Sequence, residues 1–440
     1  MIFIDKDTKR RLKSIRSETL NGENYSRDDF ARSILYYPAM MVPSAQEPII
    51  EQLSQALNNE VSLLDPFMGA SNTLVAAMKY GMNVFGQDIN PLSILLSQVK
   101  TSFYQTEELV DGLERLIDNV NSDTSDNVEV SFNNIDKWFT REIQVELSKI
   151  YRAIRNEPIL KIRKFFWIAI AETIRLTSND RTSTFKMHMR PIEEINSRQV
   201  SAIKTFISIS RKNIKNINDF ISVLVNNGYI KGGKYIKDVN VVWGDTNLGI
   251  KTGKTFNLLV TSPPYGDNQT TVTYGQFSYL PLQWIPIEDI DSTIEFDYLK
   301  TIQEIDSKSL GGRNKIDINK VEEDLFSKSK TLKNFITKFK DEERTKAEKV
   351  SRFIYELDNC IDLIIPKMRK NSFLAWTIGN RNVNKQVVRN DLILNELFQT
   401  KGIDLFVDLK RDILSKRMPK RNNFSKTMCK ERILIYKKTN

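Results

Sequence analysis

Residues 256–266 read Phe256-Asn257-Leu258-Leu259-Val260-Thr261-Ser262-Pro263-Pro264-Tyr265-Gly266, and this stretch decides the predicted fold. A short apolar run bounded by proline and glycine indicates a buried strand of a parallel sheet, and such sheets place ligands beyond the carboxyl ends of their strands. The two prolines fix φ and remove two N–H donors, which leaves the Ser262 hydroxyl and backbone carbonyls as acceptors beside the Tyr265 ring. We therefore expect a rigid turn that suits a planar ring bearing an amino group.

The composition is ordinary for a soluble globular protein of 440 residues. The 65 basic and 55 acidic residues give a net charge of +10, which favours a polyanionic partner, nucleic acid before membrane. Two cysteines, Cys360 and Cys429, cannot build a disulfide framework, and the single histidine, His188, leaves no Cys/His cluster for a metal. There is neither a signal-peptide pattern nor a run of about 18 apolar residues. We expect a cytoplasmic protein with no membrane span and no metal.

A strand, a turn, a helix and a second strand follow one another upstream. Residues 61–65 and 83–88 have strand patterns that end in Asp65 and Asp88, and the turn between them holds one glycine, Gly69. The G-x-G-x-x-G fingerprint is therefore missing, which favours a cofactor without phosphates, such as S-adenosylmethionine, whose ammonium and ribose suit acidic partners. The alternative is a plain βαβ unit with a capped helix.

Further strands are predicted at residues 240–245, 372–378, 404–408 and 432–436. The first of them ends in Asp245, so three acidic strand ends and the proline turn are expected at one edge of a sheet. Apolar residues at helical spacing predict helices at residues 47–57, 109–120, 143–154, 165–176 and 346–365, with two more running through Met78 and Phe398. The pattern predicts an α/β fold with helical insertions.

Two polar segments carry candidate nucleic-acid contacts. Residues 177–190 interleave hydroxyl, amide and cationic side chains with Phe185, and Arg181, Lys186 and Arg190 suit phosphates and base edges. Residues 410–423 hold six cations against one acid, and this density suits a phosphate backbone. The cations singled out there are Lys416, Arg417, Lys420 and Arg421. The alternative for each segment is an ordinary solvated loop, and His188 is expected to be structural or a polar contact.

The chain resembles the S-adenosylmethionine-dependent DNA amino-methyltransferases. Asp65-Pro66-Phe67-Met68-Gly69 is similar to their cofactor motif, Asp88 to their ribose-binding acid, and Gly244-Asp245 to their adenine-side acid. Ser262-Pro263-Pro264-Tyr265 is similar to their catalytic motif, and Tyr37-Pro38-Ala39 to the segment that flanks the cofactor. The resemblance covers residues 36–104 and 236–440.

The resemblance implies a Rossmann-like S-adenosylmethionine methyltransferase fold, with a mostly parallel seven-stranded sheet whose final strand is antiparallel. It implies S-adenosylmethionine bound by Tyr37, Asp65, Phe67, Gly69, Asp88, Ile89 and Asp245, and catalysis by Ser262, Pro263, Pro264 and Tyr265. The acceptors at Ser262 and the Pro263 carbonyl would bond the hydrogens of an exocyclic amine, while Tyr265 stacks on the base. Since that amine is hidden in a duplex, the nucleotide would be flipped into the site.

Six segments are expected along the chain. They are residues 1–60, with the cofactor-flanking helix; 61–103, the cofactor-binding part of the core; 104–236, a helical insertion and candidate for target recognition; 237–286, the catalytic part; 287–345, a charged insertion; and 346–440, the C-terminal part of the core. The chain ends on its last predicted strand, so recognition is expected in residues 104–236, in 287–349, or in both.

The resemblance also bears on the substrate. A serine at the first motif position is more usual for methylation of cytosine N4, and an aspartate or asparagine for adenine N6, so Ser262 favours cytosine N4 and leaves adenine N6 as the alternative. The Pro-Cys motif of cytosine-C5 enzymes is missing, which excludes that reaction. Double-stranded DNA is the expected substrate, within a restriction-modification system with a cognate restriction endonuclease as a candidate partner. An RNA or tRNA amino-methyltransferase and a catalytically silent DNA-binding subunit are further alternatives.

Overall fold

The computed structural model describes residues 2–23, 34–38, 43–57, 59–312, 317–413 and 430–439. Its main feature is a seven-stranded sheet with the order β3-β2-β1-β4-β5-β7-β6. The strands are β1 (Ser62–Asp65), β2 (Asn83–Asp88), β3 (Val239–Trp243), β4 (Phe256–Thr261), β5 (Met368–Gly379), β6 (Asp404–Asp412) and β7 (Lys430–Lys438). The final strand, β7, is antiparallel to β5 and β6, whereas the other neighbouring pairs are parallel. The predicted α/β fold is confirmed.

Helices cover both faces of the sheet. They are α1 (Ile2–Lys13), α2 (Ser17–Asn21), α3 (Pro43–Ser54), α4 (Asn72–Met78), α5 (Pro91–Thr101), α6 (Thr106–Ser122), α7 (Ile135–Trp138), α8 (Arg141–Asn156), α9 (Leu160–Thr177), α10 (Ile192–Ser197), α11 (Ala202–Asn226), α12 (Tyr274–Gln283), α13 (Ile287–Ile290), α14 (Glu304–Lys308), α15 (Ile318–Lys328), α16 (Lys330–Ile336), α17 (Arg344–Ile364) and α18 (Asn390–Thr400). Short 3₁₀ turns lie at Thr246–Leu248, Asp341–Glu343 and Ile365–Lys367. Within the described ranges, no helix combines the length and the apolar composition needed to cross a membrane.

The strands form because both faces of the sheet are covered by apolar side chains. All six residues of β4 are buried, as expected of a central parallel strand. Successive side chains alternate between the faces. In β1, Leu63 joins the apolar cluster formed with α5, α8, α9 and α11, and Leu64 joins the cluster formed with α15 to α18. The sheet is therefore the middle layer of three.

The helices of residues 104–236 pack onto the face of the sheet that carries Leu63. Phe165, Phe166 and Trp167 of α9 are fully buried in the same cluster as Leu63. Two small hairpins lie outside the main sheet, one formed by Ile230–Lys231 and Lys234–Tyr235, the other by Arg381–Val383 and Gln386–Val388. The division of the chain into six segments stays a prediction.

Three details differ from the sequence-based expectation. Helix α3 spans Pro43–Ser54 rather than residues 47–57, because a proline, with its fixed φ, is well suited to the start of a helix. Strand β5 begins at Met368 rather than at residue 372, because Met368 pairs with Phe256 of β4. The third is the segment 287–345, whose many charged residues predict mostly solvated helix surface. It also contributes fully buried side chains to the second cluster, Leu325, Leu332 and Ile336.

Candidate active site

A cavity that is partly open to solvent lies at the carboxyl ends of β1 to β4. Parallel register brings the ends of these strands together at one edge of the sheet. Among the predicted site residues, those that line the cavity are Tyr37, Asp65, Phe67, Gly69, Asp88, Ile89, Asp245, Ser262 and Pro264. The structure thus brings together all the residues predicted to bind the cofactor and half of the predicted catalytic turn. Their roles stay predictions.

Asp88 organises the turn on the cofactor side of the cavity. One oxygen of its carboxylate accepts the backbone N–H of Gly69 at 2.9 Å, and the other accepts that of Asn90 at 2.8 Å. Gly69 has φ +48°, a left-handed conformation that glycine adopts without strain and that lets its N–H point at the acid. Burial raises the pKa of Asp88 above its ordinary value. The carboxylate therefore fixes the turn and lines the cavity.

Asp65 links the cofactor side of the cavity to the catalytic strand. Its carboxylate accepts the hydroxyl of Thr261, the last residue of β4, at 2.7 Å, and the backbone N–H of Phe67 at 3.2 Å. Burial raises the pKa of Asp65 to about 6. Because this acid bonds the residue just before Ser262, the positions of the two halves of the site depend on each other.

An aromatic wall forms the opposite side of the cavity. Tyr37 lies with its ring centre 5.9 Å from that of Tyr274 and packs edge-on against Phe277 at 5.8 Å. The amide of Asn90 donates to the Tyr37 hydroxyl at 3.0 Å and to the Ser278 hydroxyl at 2.8 Å. Sequence reasoning missed Asn90, although an Asn-Pro pair after an acidic strand end indicates a helix cap, and Asn90 does cap α5.

The charged segment 287–345 contributes part of the cavity wall. Ile305, Ser309 and Leu310 line it. The segment is held in place by Asp306, which accepts the N–H groups of Gly275 at 2.9 Å and Gln276 at 3.2 Å, in the first turn of α12. Burial raises the pKa of Asp306 to about 6. No local sequence pattern could have identified this contact, since it joins segments far apart in the chain.

Two buried amide oxygens beside the cavity lack hydrogen-bond partners among the described residues. They are Oε1 of Gln46 and Oδ1 of Asn268, and both residues line the cavity. A buried acceptor without a donor costs free energy, about 1–3 kcal/mol, unless a ligand or water supplies one. Together with Asp88 and Asp245, they make a wall rich in acceptors, which suits a ligand with ammonium, amino and hydroxyl groups.

The predicted catalytic turn is held by a residue that does not line the cavity. The amide of Asn390, at the start of α18, donates to the backbone oxygens of Tyr265 at 3.0 Å and Gly379 at 2.9 Å. Ser262 and Pro264 face the cavity, whereas Pro263 and Tyr265 are not part of its lining. The Tyr265 hydroxyl instead lies 3.3 Å from Ser262 Oγ and 3.0 Å from a carboxylate oxygen of Glu431.

Gly266 is required by a close approach of Arg381. A Cβ at this position would lie 1.7 Å from an Arg381 guanidinium nitrogen, and Arg381 is tied to Asp267 by a buried ion pair at 3.2 Å. We therefore expect Gly266→Ala to displace the turn, to lower the free energy of unfolding by about 1–3 kcal/mol and to lower the predicted methyl-transfer activity at least tenfold. Urea denaturation and a tritium-transfer assay measure the two effects.

The control for Gly266→Ala is Gly253→Ala, because a Cβ at Gly253 has no neighbour within 4 Å. That variant is expected to keep wild-type stability and activity. Wild-type transfer by Gly266→Ala would show that the geometry of the turn does not matter for the reaction.

The polar segment 177–190 lies against the start of α12. The Thr273 hydroxyl donates to the Phe185 carbonyl at 3.0 Å, and the Met187 N–H donates to the Gln276 side chain at 3.2 Å. Of the predicted DNA contacts in this segment, Arg181 and Lys186 are exposed. Arg190 is engaged within the protein, since it forms an ion pair with Glu194 and donates to the Asp180 carbonyl. The exposed His188 contacts the Met187 carbonyl through its ring.

The predicted basic loop lies mostly outside the described residues, and so do Lys416, Arg417, Lys420 and Arg421. Its two anchor points are described. Asp412 pairs with Lys430 at the end of the β6–β7 ribbon, and the adjacent Glu431 pairs with Gly379 of β5. These anchor points lie close to the Tyr265 hydroxyl, which contacts Glu431, at the edge that holds the cavity.

Comparison with known proteins identifies the family. Over 420 residues the chain is 33% identical to the type II methyltransferase M.MvaI of Kocuria varians, across 91% of this chain and 89% of that protein. The chain belongs to the type II methyltransferase family. A stretch of 47 residues is 43% identical to the type II methyltransferase M.MjaII of Methanocaldococcus jannaschii, which is 11% of this chain and 9% of that protein.

Among solved structures, this type II methyltransferase has only a weak structural likeness to an rRNA methyltransferase. The rRNA methyltransferase aviRa of Streptomyces viridochromogenes aligns over 92% of this chain and 89% of that one, at 9% identity. The TM-score of 0.29 is too low to indicate a shared fold. No protein-family model matches the chain.

This type II methyltransferase takes its methyl group from S-adenosylmethionine. The residues around the cavity fit that molecule, because carboxylates, orphaned amide oxygens and aromatic rings suit its ammonium, hydroxyl and adenine groups. Asp88 and Asp245 are the residues that would hold the nucleoside part, with Tyr37 and Phe67 beside it.

Lowering the pH through about 6 is expected to weaken S-adenosylmethionine binding by this type II methyltransferase. The pKa of Asp65 is raised to about 6, and that of Asp88 is also raised, in both cases because the carboxyl group is buried. As the pH falls through 6, Asp65 takes up a proton and loses the negative charge that favours a cationic ligand. Below its pKa, one linked proton weakens binding up to tenfold per pH unit. Calorimetric titrations from about pH 5 to about pH 8 measure this slope.

Asp65→Asn, which cannot titrate, is the control for the pH experiment and is expected to show a shallower slope. A dissociation constant that is the same at both ends of the pH range would contradict the involvement of these carboxylates.

Proposed function

We propose that this chain methylates an exocyclic amine of a base in double-stranded DNA, with cytosine N4 as the preferred target. The observation that carries the proposal is the Ser262 hydroxyl, an acceptor on a rigid turn that lines the same cavity as Asp65, Asp88 and Asp245. An amine that acts as a nucleophile needs hydrogen-bond acceptors for its hydrogens. The methyl donor must lie on the opposite side of the amine nitrogen from these acceptors.

Family membership supports the DNA substrate. The relative from Kocuria varians is named a type II methyltransferase, and it matches nearly the whole chain. We infer a place in a restriction-modification system, with a cognate restriction endonuclease as the proposed partner and the cytoplasm as the proposed location.

The chemistry of the proposed reaction follows from the residues around the cavity. S-adenosylmethionine supplies an electrophilic methyl group on a sulfonium. Ser262 Oγ and the Pro263 carbonyl would accept the two amine hydrogens, so that the nitrogen lone pair turns out of the ring plane toward that methyl group. Positioning and electrostatics lower the barrier, and no covalent enzyme intermediate is needed.

The choice of an amine over a ring carbon is supported by the cysteines. A thiol nucleophile would have to reach the base, but Cys360 is fully buried in α17 among the apolar residues of the second cluster. Cys429 lies outside the described residues. The serine at position 262 favours cytosine N4 over adenine N6 through the resemblance to amino-methyltransferases.

DNA is proposed to bind across the edge of the sheet that holds the cavity. Arg181 and Lys186 are exposed on the segment that packs against α12, whose first residue, Tyr274, lines the cavity. Asp412 and Lys430, the strand residues that flank the segment with Lys416, Arg417, Lys420 and Arg421, lie at the same edge. Arg181 and Lys186 would contact phosphates beside a flipped nucleotide, and Lys416, Arg417, Lys420 and Arg421 are proposed as further phosphate contacts. Arg190 is the weakest of these proposed contacts, because it is already paired.

One experiment tests the reaction and the base together. The purified protein is incubated with tritium-labelled S-adenosylmethionine and either duplex DNA or total RNA, and the product is digested to nucleosides and separated by mass spectrometry. We expect label in DNA as N4-methylcytosine. Label as N6-methyladenine would correct the base, label in RNA would overturn the substrate, and binding of S-adenosylmethionine with no label in either nucleic acid would indicate a silent DNA-binding subunit.

A further inference from the structure

A row of buried polar groups runs from the last strand to the catalytic turn. Arg411 of β6 forms an ion pair with Glu431 of β7: Nε lies 3.2 Å from Oε2, without the alignment of a hydrogen bond. The other Glu431 oxygen lies 3.0 Å from the Tyr265 hydroxyl, which in turn lies 3.3 Å from Ser262 Oγ. The arginine and glutamate side chains are only 5% and 13% exposed, so these contacts are largely shielded from water.

The direction of the hydrogen bonds in this row is determined by the number of protons available. Glu431, paired with Arg411, is a carboxylate and can only accept. Tyr265 has a single hydroxyl proton, which therefore points to Glu431. Ser262 must then donate its own proton to the Tyr265 oxygen. This leaves both lone pairs of the Ser262 oxygen free to accept.

The Tyr265 hydroxyl can link Glu431 to Ser262 because it stays protonated. Burial, together with the negative charge of Glu431, raises the pKa of its hydroxyl well above the ordinary value, so the tyrosine keeps its proton. Its backbone carbonyl is held by Asn390 at 3.0 Å, which fixes the ring relative to β5. The separation of 3.3 Å between the Tyr265 and Ser262 hydroxyls is longer than the usual value of about 2.7–2.8 Å, but catalytic hydrogen bonds often tighten only when the reacting groups are in place.

We propose that Glu431 is a positioning residue that acts through the Tyr265 hydroxyl to hold Ser262 as an acceptor toward the target amine. The inference rests on the proposed function and adds to it a residue from the far end of the chain. In this arrangement the hydroxyl of Tyr265 has a role of its own, while its ring packs against the second apolar cluster.

The row acts on charge that develops during the transfer. With S-adenosylmethionine bound, the amine nitrogen would use its lone pair to bond the methyl carbon, and the sulfur would keep the electrons of the broken carbon–sulfur bond. The nitrogen would become positive, and one amine proton would then leave to water. A Ser262 oxygen whose lone pairs are already aimed at the nitrogen stabilises that charge without reorienting. Because the charge is larger in the transition state than in the bound substrate, the row should raise the rate of transfer and leave binding unchanged.

Glu431→Gln and Tyr265→Phe test the inference by single-turnover kinetics. Each is expected to lower the rate constant of transfer about tenfold, the size of one oriented hydrogen bond, with unchanged dissociation constants for DNA and S-adenosylmethionine. The double variant is expected to be no slower than either single one, since both break the same row. In a Ser262→Ala background neither change should slow transfer further, because the row acts through Ser262.

Two matched controls remove comparable groups elsewhere. Tyr436→Phe takes a buried hydroxyl from β7 that has no hydrogen-bond partner among the described residues, and Glu322→Gln neutralises a buried carboxylate paired with Arg344 in another part of the fold. Both are expected to keep the wild-type rate. Thermal unfolding shows whether each variant is folded. If Glu431→Gln does not fold, Tyr265→Phe, which keeps the aromatic ring, still tests the inference.

The outcomes separate this inference from the proposed function. Wild-type protein that methylates no amine would defeat the proposed function itself. Wild-type protein that does so, with Tyr265→Phe equally fast, would overturn the row alone. A tenfold loss of transfer rate that either variant still causes in the Ser262→Ala background would also overturn the row. The same holds if the variants only weaken DNA binding and leave the transfer rate unchanged.

Discussion

Ser262→Ala is expected to slow methyl transfer by about 10²- to 10³-fold while S-adenosylmethionine still binds. The hydroxyl is the polar group that the catalytic turn presents to the cavity from a side chain, and removing one such group from a preorganised site typically costs this much in rate. Binding should survive because the acids that line the cofactor side, Asp65, Asp88 and Asp245, are untouched. Single-turnover rates with tritium label, together with calorimetric binding of the cofactor, measure the two quantities.

The fold should also survive this change. Ser262 is followed by two prolines that set the backbone whatever residue precedes them, and the turn is held by Asn390 through the Tyr265 carbonyl. Ser327→Ala, which removes an exposed hydroxyl from α15, is the control and should transfer at the wild-type rate. A Ser262→Ala protein within twofold of wild type would refute the acceptor role.

The main sheet could be predicted because its signals are local. Each central strand is a short apolar run, and Asp65, Asp88 and Asp245 mark the ends of three of them. Buried parallel strands need such runs, so their order of appearance and their common edge follow from the α/β pattern. The ends of elements were less predictable. The start of β5 at Met368, for example, depends on pairing with Phe256, far away in the sequence.

Parts of the site could be predicted where a local sequence pattern is typical of a particular chemical role. A serine before two prolines at a strand end, or an acid closing a strand, can be recognised without a structure. Asp306 and Glu431 could not be found this way, because each acts through a contact between segments that are distant in the chain. Both are charged residues in charged stretches of sequence, where the ordinary expectation is a solvated side chain.

Replacing Asp88 by Asn is expected to raise the dissociation constant of S-adenosylmethionine about 100-fold. Both carboxylate oxygens already accept backbone N–H groups, from Gly69 and Asn90. In the Asn variant the NH₂ group must face one of those donors, which opens the turn that lines the cavity. A 100-fold change corresponds to about 2.8 kcal/mol, and a hydrogen bond to a charged group contributes about 1.5–3 kcal/mol, so the loss of one such bond to the ligand accounts for a change of this size.

The same variant separates the cofactor side of the cavity from the catalytic turn. At saturating S-adenosylmethionine, Asp88→Asn should recover most of the wild-type transfer rate, because in the described part of the chain neither the Ser262 nor the Tyr265 side chain hydrogen-bonds to Asp88, Gly69 or Asn90. Ser262→Ala should not recover at any concentration. Asp219→Asn, on the exposed face of α11, controls for the loss of a carboxylate and should bind the cofactor normally. If Asp88→Asn bound S-adenosylmethionine as tightly as wild type, the cofactor would have to lie elsewhere, and the end of β2 would be only a structural turn.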